Sequence, residues 1–343
     1  MNEQDYPDIS SLPPKKRKNL KRLAKIRGES ESVTLTQVGM DPIAKLPRGF
    51  KKNVRDLFGV EFIEAGLRDE LAYVQLSNGR IFYGHRSRPL DIRLFNCIKD
   101  KLSPVITPDT YRIARDVAYR YLSERIWFRR EFLPNKGGTI VEVGAFCGHK
   151  TMRFVDEVVS PTGKVLAIEV LPDNIAPLRR NVMENGLHDC IDIWESGVWK
   201  ERGTMLLHSK GQQRNSLVDF DGFVADKKIE VRTDTLNNIL STWEPKIINF
   251  LAITVNSAEL EVLQGMDEVI DRIEVIYVVA SYERNGATHL LAINRYFLVQ
   301  IIVVNIIRHR FCIKLPDFFV VVSRYSHINS VGITTSAAFL KQC

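Results

Sequence analysis

"TIVEVGAFCGHK", residues 139–150, decides the fold. A short apolar run carrying a single acid, Glu142, is followed by two glycines four apart, Gly144 and Gly148. A buried strand that turns through glycines into a helix is the usual way an α/β sheet presents backbone to a nucleotide. The spacing excludes two such loops. A Walker loop needs Gly-Lys-Ser/Thr at its end, so that lysine and hydroxyl meet phosphate and magnesium. Here His149 separates Gly148 from Lys150 and Thr151. A dinucleotide fingerprint, G-x-G-x-x-G, needs a glycine where the pyrophosphate touches backbone, and Phe146 puts bulk there. Glu142, two residues before the first glycine, would repel a pyrophosphate but suits an ammonium group, so the loop favours a cationic ligand.

A second acid supports that reading. "KVLAIEV" ends in Glu169 and Val170, the acid lying twenty-one residues beyond Gly148. A carboxylate at the tip of a second strand can accept both hydroxyls of a ribose. A solvated strand-end acid would explain Glu169 alone; in register with Glu142, Gly144 and Gly148 it points to S-adenosylmethionine, which carries a ribose, an ammonium and a sulfonium. The expected cofactor contacts are Glu142, Gly144, Ala145, Phe146 and Gly148 in the loop, with Glu169 and Val170 after the second strand. The adenine is expected near "WESGVW", read by Ser196 or a nearby amide and flanked by Trp194 or Trp199, of which at least one is the more natural core residue. No metal-ligand spacing occurs.

Working outward, strand-like and helical segments alternate from Gly137. Expected strands are "TIVEVGA", "KVLAIEV", "CIDIWESGVW", "IINFLAITV", "EVIYVVASY", "VQIIVVNII" and "FFVVVSRY", with helices "NIAPLRRNVMENG" and "AELEVLQGMDEVI" between some of them. Strands this apolar are buried on both faces, as in a parallel sheet covered by helices. "RHRFCIKLPD" is too short for a crossover and reads as the loop of a terminal hairpin. The expected fold is therefore α/β and Rossmann-like, of the class I methyltransferase type: a seven-stranded, mostly parallel sheet with an antiparallel edge strand. Ahead of it stands a small region, where "AYVQLSNGRIFYGHR" predicts a type I′ hairpin at Asn78-Gly79. Helices follow at "LDIRLFNCIKDKL" and, capped by "TPDT", at "YRIARDVAYRYLSERIWF". Packing against the next domain explains the aromatic residues Tyr111, Tyr119, Tyr121, Trp127 and Phe128 more simply than base stacking does.

The expected boundaries are a flexible basic arm at 1–33, the hairpin and helical region at 34–134, the cofactor domain at 135–328 and a tail at 329–343. Of 343 residues, 45% are hydrophobic and 26% charged, and the net charge is +7. The arm's "KKRKNLKRLAKIR", residues 15–27, holds eight basic residues and no acid, so the remainder is close to neutral. Such an arm suits nucleic acid, an anionic membrane surface or a nuclear import signal, and equally a solubilising tail. The longest apolar run is too short and too interrupted to span a bilayer, and "MNEQDYPDIS" does not resemble a secretory signal. Five scattered cysteines without a CxxC pair suit a reducing, cytoplasmic setting.

The chain resembles the FkbM-type methyltransferases, a class I family whose members typically methylate hydroxyl groups on sugars or natural products. "IVEVGAFCGHKTMRF" resembles the family's first motif, and "KVLAIEVLPDNIAPLRRNVMENGL" its second strand and helix. "RTDTLNNIL" with "INFLAITVNSAELEVLQGM" resembles the paired motif that marks the family most sharply. The resemblance implies an S-adenosylmethionine-dependent enzyme acting on a hydroxyl of a small molecule or glycan. It also exposes a departure. The family usually has Lys-Ile-Asp-Val-Glu-Gly-Ala-Glu where this chain has Ala252-Ile253-Thr254-Val255-Asn256-Ser257-Ala258-Glu259. Thr254 keeps a hydroxyl without general-base capacity, and Asn256 replaces a carboxylate by an amide. The catalytic candidates are therefore Glu259, His149 and Thr254, with Glu283 of "SYERNG" nearby; helix-dipole stabilisation for Glu259 and packing for His149 are the plainer roles. Two other functions compete: an RNA methyltransferase using the arm, and a degenerate methyltransferase fold serving as a binding or scaffold protein.

Overall fold

The computed structural model describes residues 59–99, 102–122, 133–159, 162–209, 215–219, 224–279, 310–314, 318–322 and 333–335. The chain divides into two compact units, Met1–Ser123 and Glu124–Cys343. The basic arm, Trp127, Phe128, "VQIIVVNII" and Glu283 lie outside the described residues.

The first unit holds an antiparallel sheet in the order β1-β2-β3, with β1 at Phe62–Arg68, β2 at Leu71–Leu76 and β3 at Ile81–Gly84. The β2–β3 hairpin falls where the sequence placed it, but its turn differs. The pairing closes on Leu76 and Arg80, leaving a three-residue loop in which Gly79 alone has positive φ, 89°. That is a type I turn followed by a glycine bulge rather than a type I′ turn. The two-residue turn with both central φ positive sits instead between β1 and β2, at Asp69 and Glu70 (46° and 65°), where no Asn-Gly marks it.

Helices α1 (Pro89–Ile98) and α2 (Tyr111–Val117, continued as a π-helical turn to Leu122) follow. Val74, Leu76, Phe82, Tyr83, Ile113 and Val117 are fully or almost fully buried. Tyr111 packs edge-on to Phe95 and Tyr121 lies 4.6 Å from Phe82, so these aromatic rings are packing residues within this unit. The two helices are joined by charge. Buried Asp91 receives Arg115 at 2.8 Å, Arg112 at 3.4 Å and the Arg88 backbone N–H at 3.0 Å.

Among the described residues, the second unit is built on an eight-stranded sheet, β15-β14-β13-β12-β11-β4-β5-β6. Its strands are β4 Thr139–Val143, β5 Lys164–Glu169, β6 Ile191–Glu195, β11 Phe250–Ile253, β12 Val275–Val279, β13 Arg310–Lys314, β14 Phe318–Val322 and β15 Ile333–Thr335. Five pairings are parallel and two antiparallel, which corrects the expected seven strands with one antiparallel edge. β13 falls inside "RHRFCIKLPD", read in the sequence as a loop, so the hairpin partner of β14 lies at Arg310–Lys314 and not at "VQIIVVNII" as expected. The chain alternation Arg310-Phe-Cys-Ile-Lys314 had been outweighed by its charged flanks.

The faces of this sheet are distinct. Val141, Val143, Leu166, Ile168, Leu251, Ile253, Ile276 and Val278 form one core with residues of α5 (Leu236–Thr242) and α6 (Glu259–Gln264). On the opposite face Phe250 stacks on Tyr277 and meets Phe154 of α3 (His149–Glu157). Glu142 and Ala252, in register on adjacent strands, belong to this second face. Helix α4 (Pro172–Glu184) follows β5, begins on a proline as first-turn geometry permits, and carries Pro177 within it. Helix α6 is shorter than "AELEVLQGMDEVI" suggested, because Gly265 ends it.

A second sheet, β7-β10-β8-β9, was not anticipated. It comprises β7 Gly197–Val198, β8 Gly203–Ser209, β9 Asn215–Ser216 and β10 Lys227–Asp234. Polar ends masked the alternation of Ile229, Val231 and Thr233 in β10. Among the described residues no helix is long and apolar enough to cross a membrane.

The Asp91 cluster yields a test of the first unit. Burial by itself would raise the Asp91 carboxyl, but Arg115, Arg112 and the Arg88 N–H more than offset it and hold the group below the usual carboxylate range. A depressed carboxylate stabilises fully above its unfolded value of about 4 and loses that contribution as pH falls through its folded value. Asp91→Asn leaves two buried guanidinium groups short of charge and should cost about 3–5 kcal/mol at neutral pH. Urea melts of both proteins from pH 7 downward should show the gap closing on the acid side; an equal gap throughout would refute the assignment.

Candidate functional site

Strand order reverses between β4 and β11: from β4 the chain runs outward to β5 and β6, and from β11 outward to β12. In an open parallel sheet such a switch point leaves a crevice beyond the carboxyl ends of the two central strands. Gly144 and Thr254 stand at those ends.

The loop from Val143 to α3 passes through three left-handed residues, Gly144 (φ 86°), Phe146 (57°) and Gly148 (81°). Gly144 is required twice over. Its φ disfavours any side chain, and a Cβ would lie 2.6 Å from the Thr254 carbonyl oxygen. Gly148 caps α3, and a Cβ there would strike Leu178. Phe146 has no such freedom, and its conformation is held from outside. Its N–H donates to Glu169 Oε2 at 2.8 Å, while Gly144 N and Ala145 N both donate to Ile168 O at 3.0 Å.

Glu169 is thus a structural anchor as well as a strand-tip acid. Its Oε1 accepts from the N–H groups of Val170 and Leu171, each at 3.0 Å, and from Asn174 Nδ2 at 3.3 Å. Burial raises its pKa, and the four hydrogen bonds only partly counter that. Oε2 carries one of the four donors, so of the two oxygens it retains the greater acceptor capacity.

Glu142 is completely buried in the middle of β4. Lys150 Nζ lies 3.0 Å from its Oε1, and Thr151 Oγ1 donates to its Oε2 at 2.6 Å. The ammonium that Glu142 meets therefore belongs to the chain itself. Lys150 also donates to Thr254 Oγ1 at 2.6 Å, and that hydroxyl lies 3.3 Å and 3.2 Å from the carbonyl oxygens of Val143 and Gly144.

The remaining strand-four positions are equally engaged. Asn256 Nδ2 donates to Asn215 O at 2.7 Å, and Ser216 Oγ donates to Asn256 O at 2.6 Å, tying β9 to the tip of β11. Ser257 is fully buried with φ 64°, and no partner for its hydroxyl occurs among the described residues. Its N–H donates to Glu259 Oε1 at 3.3 Å. Glu259 itself is wholly buried and His149 almost so, the latter edge-on to Phe146. Trp199 packs with Val218 and Ala258, and Trp194 lies half-buried against the main core.

The structure thus brings Glu142, Gly144 and Thr254 into one contact set and Phe146 with Glu169 into another. Ser196 stands at the β6–β7 junction. Its hydroxyl and that of Thr233, whose backbone is in register with Gly197, are buried without a partner among the described residues. The packed environment of Glu142, with Lys150 and Thr151 already on its two oxygens, does not fit a second ammonium. The sequence reading missed Lys150 and Thr151 as site residues. The signal was a lone acid inside an apolar strand, which demands a cation within reach on the covering helix. No cluster of metal-ligating side chains occurs among the described residues.

Residues 142–298 match the family model for the methyltransferase FkbM domain. Among solved structures, a methyltransferase FkbM from Methylobacillus flagellatus KT is 17% identical, with 61% of this chain and 53% of that chain covered at a TM-score of 0.37. This chain therefore spans about half the length of that protein. The METTL16 MTase domain is 13% identical, covering 50% of this chain and 52% of that one at a TM-score of 0.30. An Aeropyrum pernix fibrillarin with natively bound S-adenosyl-L-methionine is 12% identical, over 40% and 57%, at 0.18. No curated protein matches the chain.

Two substitutions test the loop geometry by thermal unfolding. Ser257→Gly relieves a left-handed serine and removes a buried unpaired hydroxyl, and should stabilise by about 1 kcal/mol. Gly144→Ala meets both an unfavourable φ and an immovable carbonyl, and should destabilise by on the order of 2–4 kcal/mol.

Proposed function

Residues 142–298 carry the methyltransferase FkbM domain, and from that premise we propose that the protein transfers a methyl group from S-adenosylmethionine to a hydroxyl on a small molecule or glycan. The observation that carries this reading is the pairing at the switch point of the glycine loop with Glu169, whose Oε2 faces that loop. In this reading Glu169 Oε2 accepts from the ribose, the backbone of Gly144 to Phe146 shapes the floor, and Ser196 reads the adenine edge. Bound there, S-adenosylmethionine supplies an electrophilic methyl on a sulfonium that is already a good leaving group.

What the chain adds is placement. Holding two reactants in line can account for roughly 7–11 kcal/mol of a barrier. The tip of β11 is fixed by Lys150 and Asn256 rather than left mobile. Proton removal is the weaker part. Among the described residues the two titratable candidates, His149 and Glu259, are 1% and 0% exposed, so neither of these offers a surface to an acceptor. A hydroxyl that is already acidic, such as a phenol or enol, therefore suits this site better than an aliphatic alcohol, which needs a base near its own oxygen.

Calorimetric titration of the purified chain with S-adenosylmethionine and S-adenosylhomocysteine tests the reading. Micromolar binding is expected, with loss of at least tenfold in Glu169→Gln. Binding of neither ligand would leave a methyltransferase fold that serves as a scaffold, and would end the enzymatic reading. With binding established, labelled methyl transfer to phenolic acceptors should exceed transfer to simple sugars.

A further inference from the structure

We propose that Lys150 is the positioning residue of this site, an ammonium carried on α3 that takes the place of a lysine on β11 at position 252. The proposal rests on the methyltransferase reading only for its ligand-binding readout; its structural core is independent of that reading.

A carboxylate at the centre of a parallel sheet cannot stay ionised without a partner, because the cost of a bare buried charge exceeds what packing returns. Glu142 is 0% exposed, and Lys150, 2% exposed, lies 3.0 Å from it. The ammonium does more than neutralise. From Lys150 Nζ the contacts run to Glu142 on β4 and to Thr254 at the tip of β11, and Thr254 Oγ1 reaches the Val143 and Gly144 carbonyl groups. One cation thus ties together the middle of β4, the first residue of the glycine loop and the end of β11. These are the two strand ends that frame the crevice.

The same carboxylate can be reached from another place. Ala252 is the in-register neighbour of Glu142 on β11, is 1% exposed, and shares its sheet face. Adjacent strands lie about 4.8 Å apart, so a lysine side chain at 252 spans the distance easily. That is the position at which the motif resembled by this chain has lysine, two residues before its aspartate. Here both are changed together, to Ala252 and Thr254. The pairing explains why. An ammonium on α3 meets position 254 as well as Glu142, and with a neutral threonine there the charges balance one to one. The set of Glu142, Lys150 and Thr254 consequently carries no net charge, and a ligand at the β11 tip draws on shape and hydrogen bonds rather than on attraction of a cation to Glu142.

Moving the lysine back is the test, on the full-length chain with thermal melting and S-adenosylhomocysteine titration. Lys150→Met should lower the melting temperature by on the order of 10 °C and weaken ligand binding at least tenfold. Ala252→Lys alone should also destabilise, since it adds a second buried ammonium. The double variant should melt within a few degrees of the wild type and recover the ligand. A double variant as unstable as Lys150→Met, or unfolded with it, overturns the proposal. A second measurement needs no variant: in the native chain Lys150 should resist acetylation by acetic anhydride while exposed lysines react, and prompt labelling of Lys150 would refute its buried pairing. If the wild type binds no S-adenosylhomocysteine, the methyltransferase reading fails while the melting comparison still decides the lysine exchange.

Discussion

A carboxylate fully buried in a parallel strand governs much of this structure. Glu142 has hydrophobic residues on both sides of it along β4, and no route to water. Its ionisation has to be matched within the protein, and the match comes from the first turn of the helix that follows, where Lys150 and Thr151 point back onto the sheet. That requirement fixes the angle at which α3 leaves the loop. It therefore fixes the loop, since the chain must turn from Val143 to His149 within five residues while keeping both ends in contact with Glu142 and Thr254.

The loop meets that demand by adopting left-handed backbone three times, and only two of the three residues are glycine. Phe146 remains there because Glu169, from the neighbouring strand, captures its N–H. Glu169 is in turn immobilised by the start of α4. The two acids thus do complementary things: Glu142 binds the loop's exit helix to the sheet, and Glu169 binds the loop's middle to the next βα turn. Removing either charge would loosen the same few residues from opposite ends. A preorganised backbone is what a reaction driven by placement requires, because the ordering cost is met during folding rather than on binding.

Much of this was legible in the sequence. The glycine spacing, the two acids and the apolar strand runs marked the segments that form β4, β5, β6, β11 and β12 and the loop that follows β4; their order in the sheet came from the structure. The failures have physical causes. The first strand of the hairpin was misplaced because charged residues at Arg310 and Lys314 resemble loop composition, yet they stand only at the two ends of β13, a strand paired on both sides by β12 and β14. The small sheet was missed because β8 and β10 are half-exposed and their apolar period is diluted by lysines and a histidine. In the turn at Asp69-Glu70 only the aspartate tolerates positive φ readily and no glycine follows it, so the pairing of β1 with β2 holds Glu70 there. For the site, position along the chain was readable but partnership was not. Lys150 stood next to His149 in plain view, and only the packing of α3 shows that it, rather than a ligand, answers Glu142.

The strand-four departures gain a consistent meaning from these contacts. Asn256 donates its amide to the Asn215 carbonyl; an ionised carboxylate in that place would set two acceptors against each other at 2.7 Å. Thr254 accepts from Lys150 and has two carbonyl oxygens within reach of its own hydrogen, whereas an aspartate can only accept and would face those carbonyls unfavourably. Ser257 alone fits poorly, holding a glycine-like backbone with a hydroxyl that finds no partner among the described residues. A motif undergoing decay would accumulate residues of the Ser257 kind, each locally costly and unconnected to the others. Two of the three polar changes instead fit hydrogen-bonding partners in their new surroundings, and one of those partners, Lys150, links strand four to the loop opposite. The tip of β11 has been rewired around a different cation, and its rigidity has been kept.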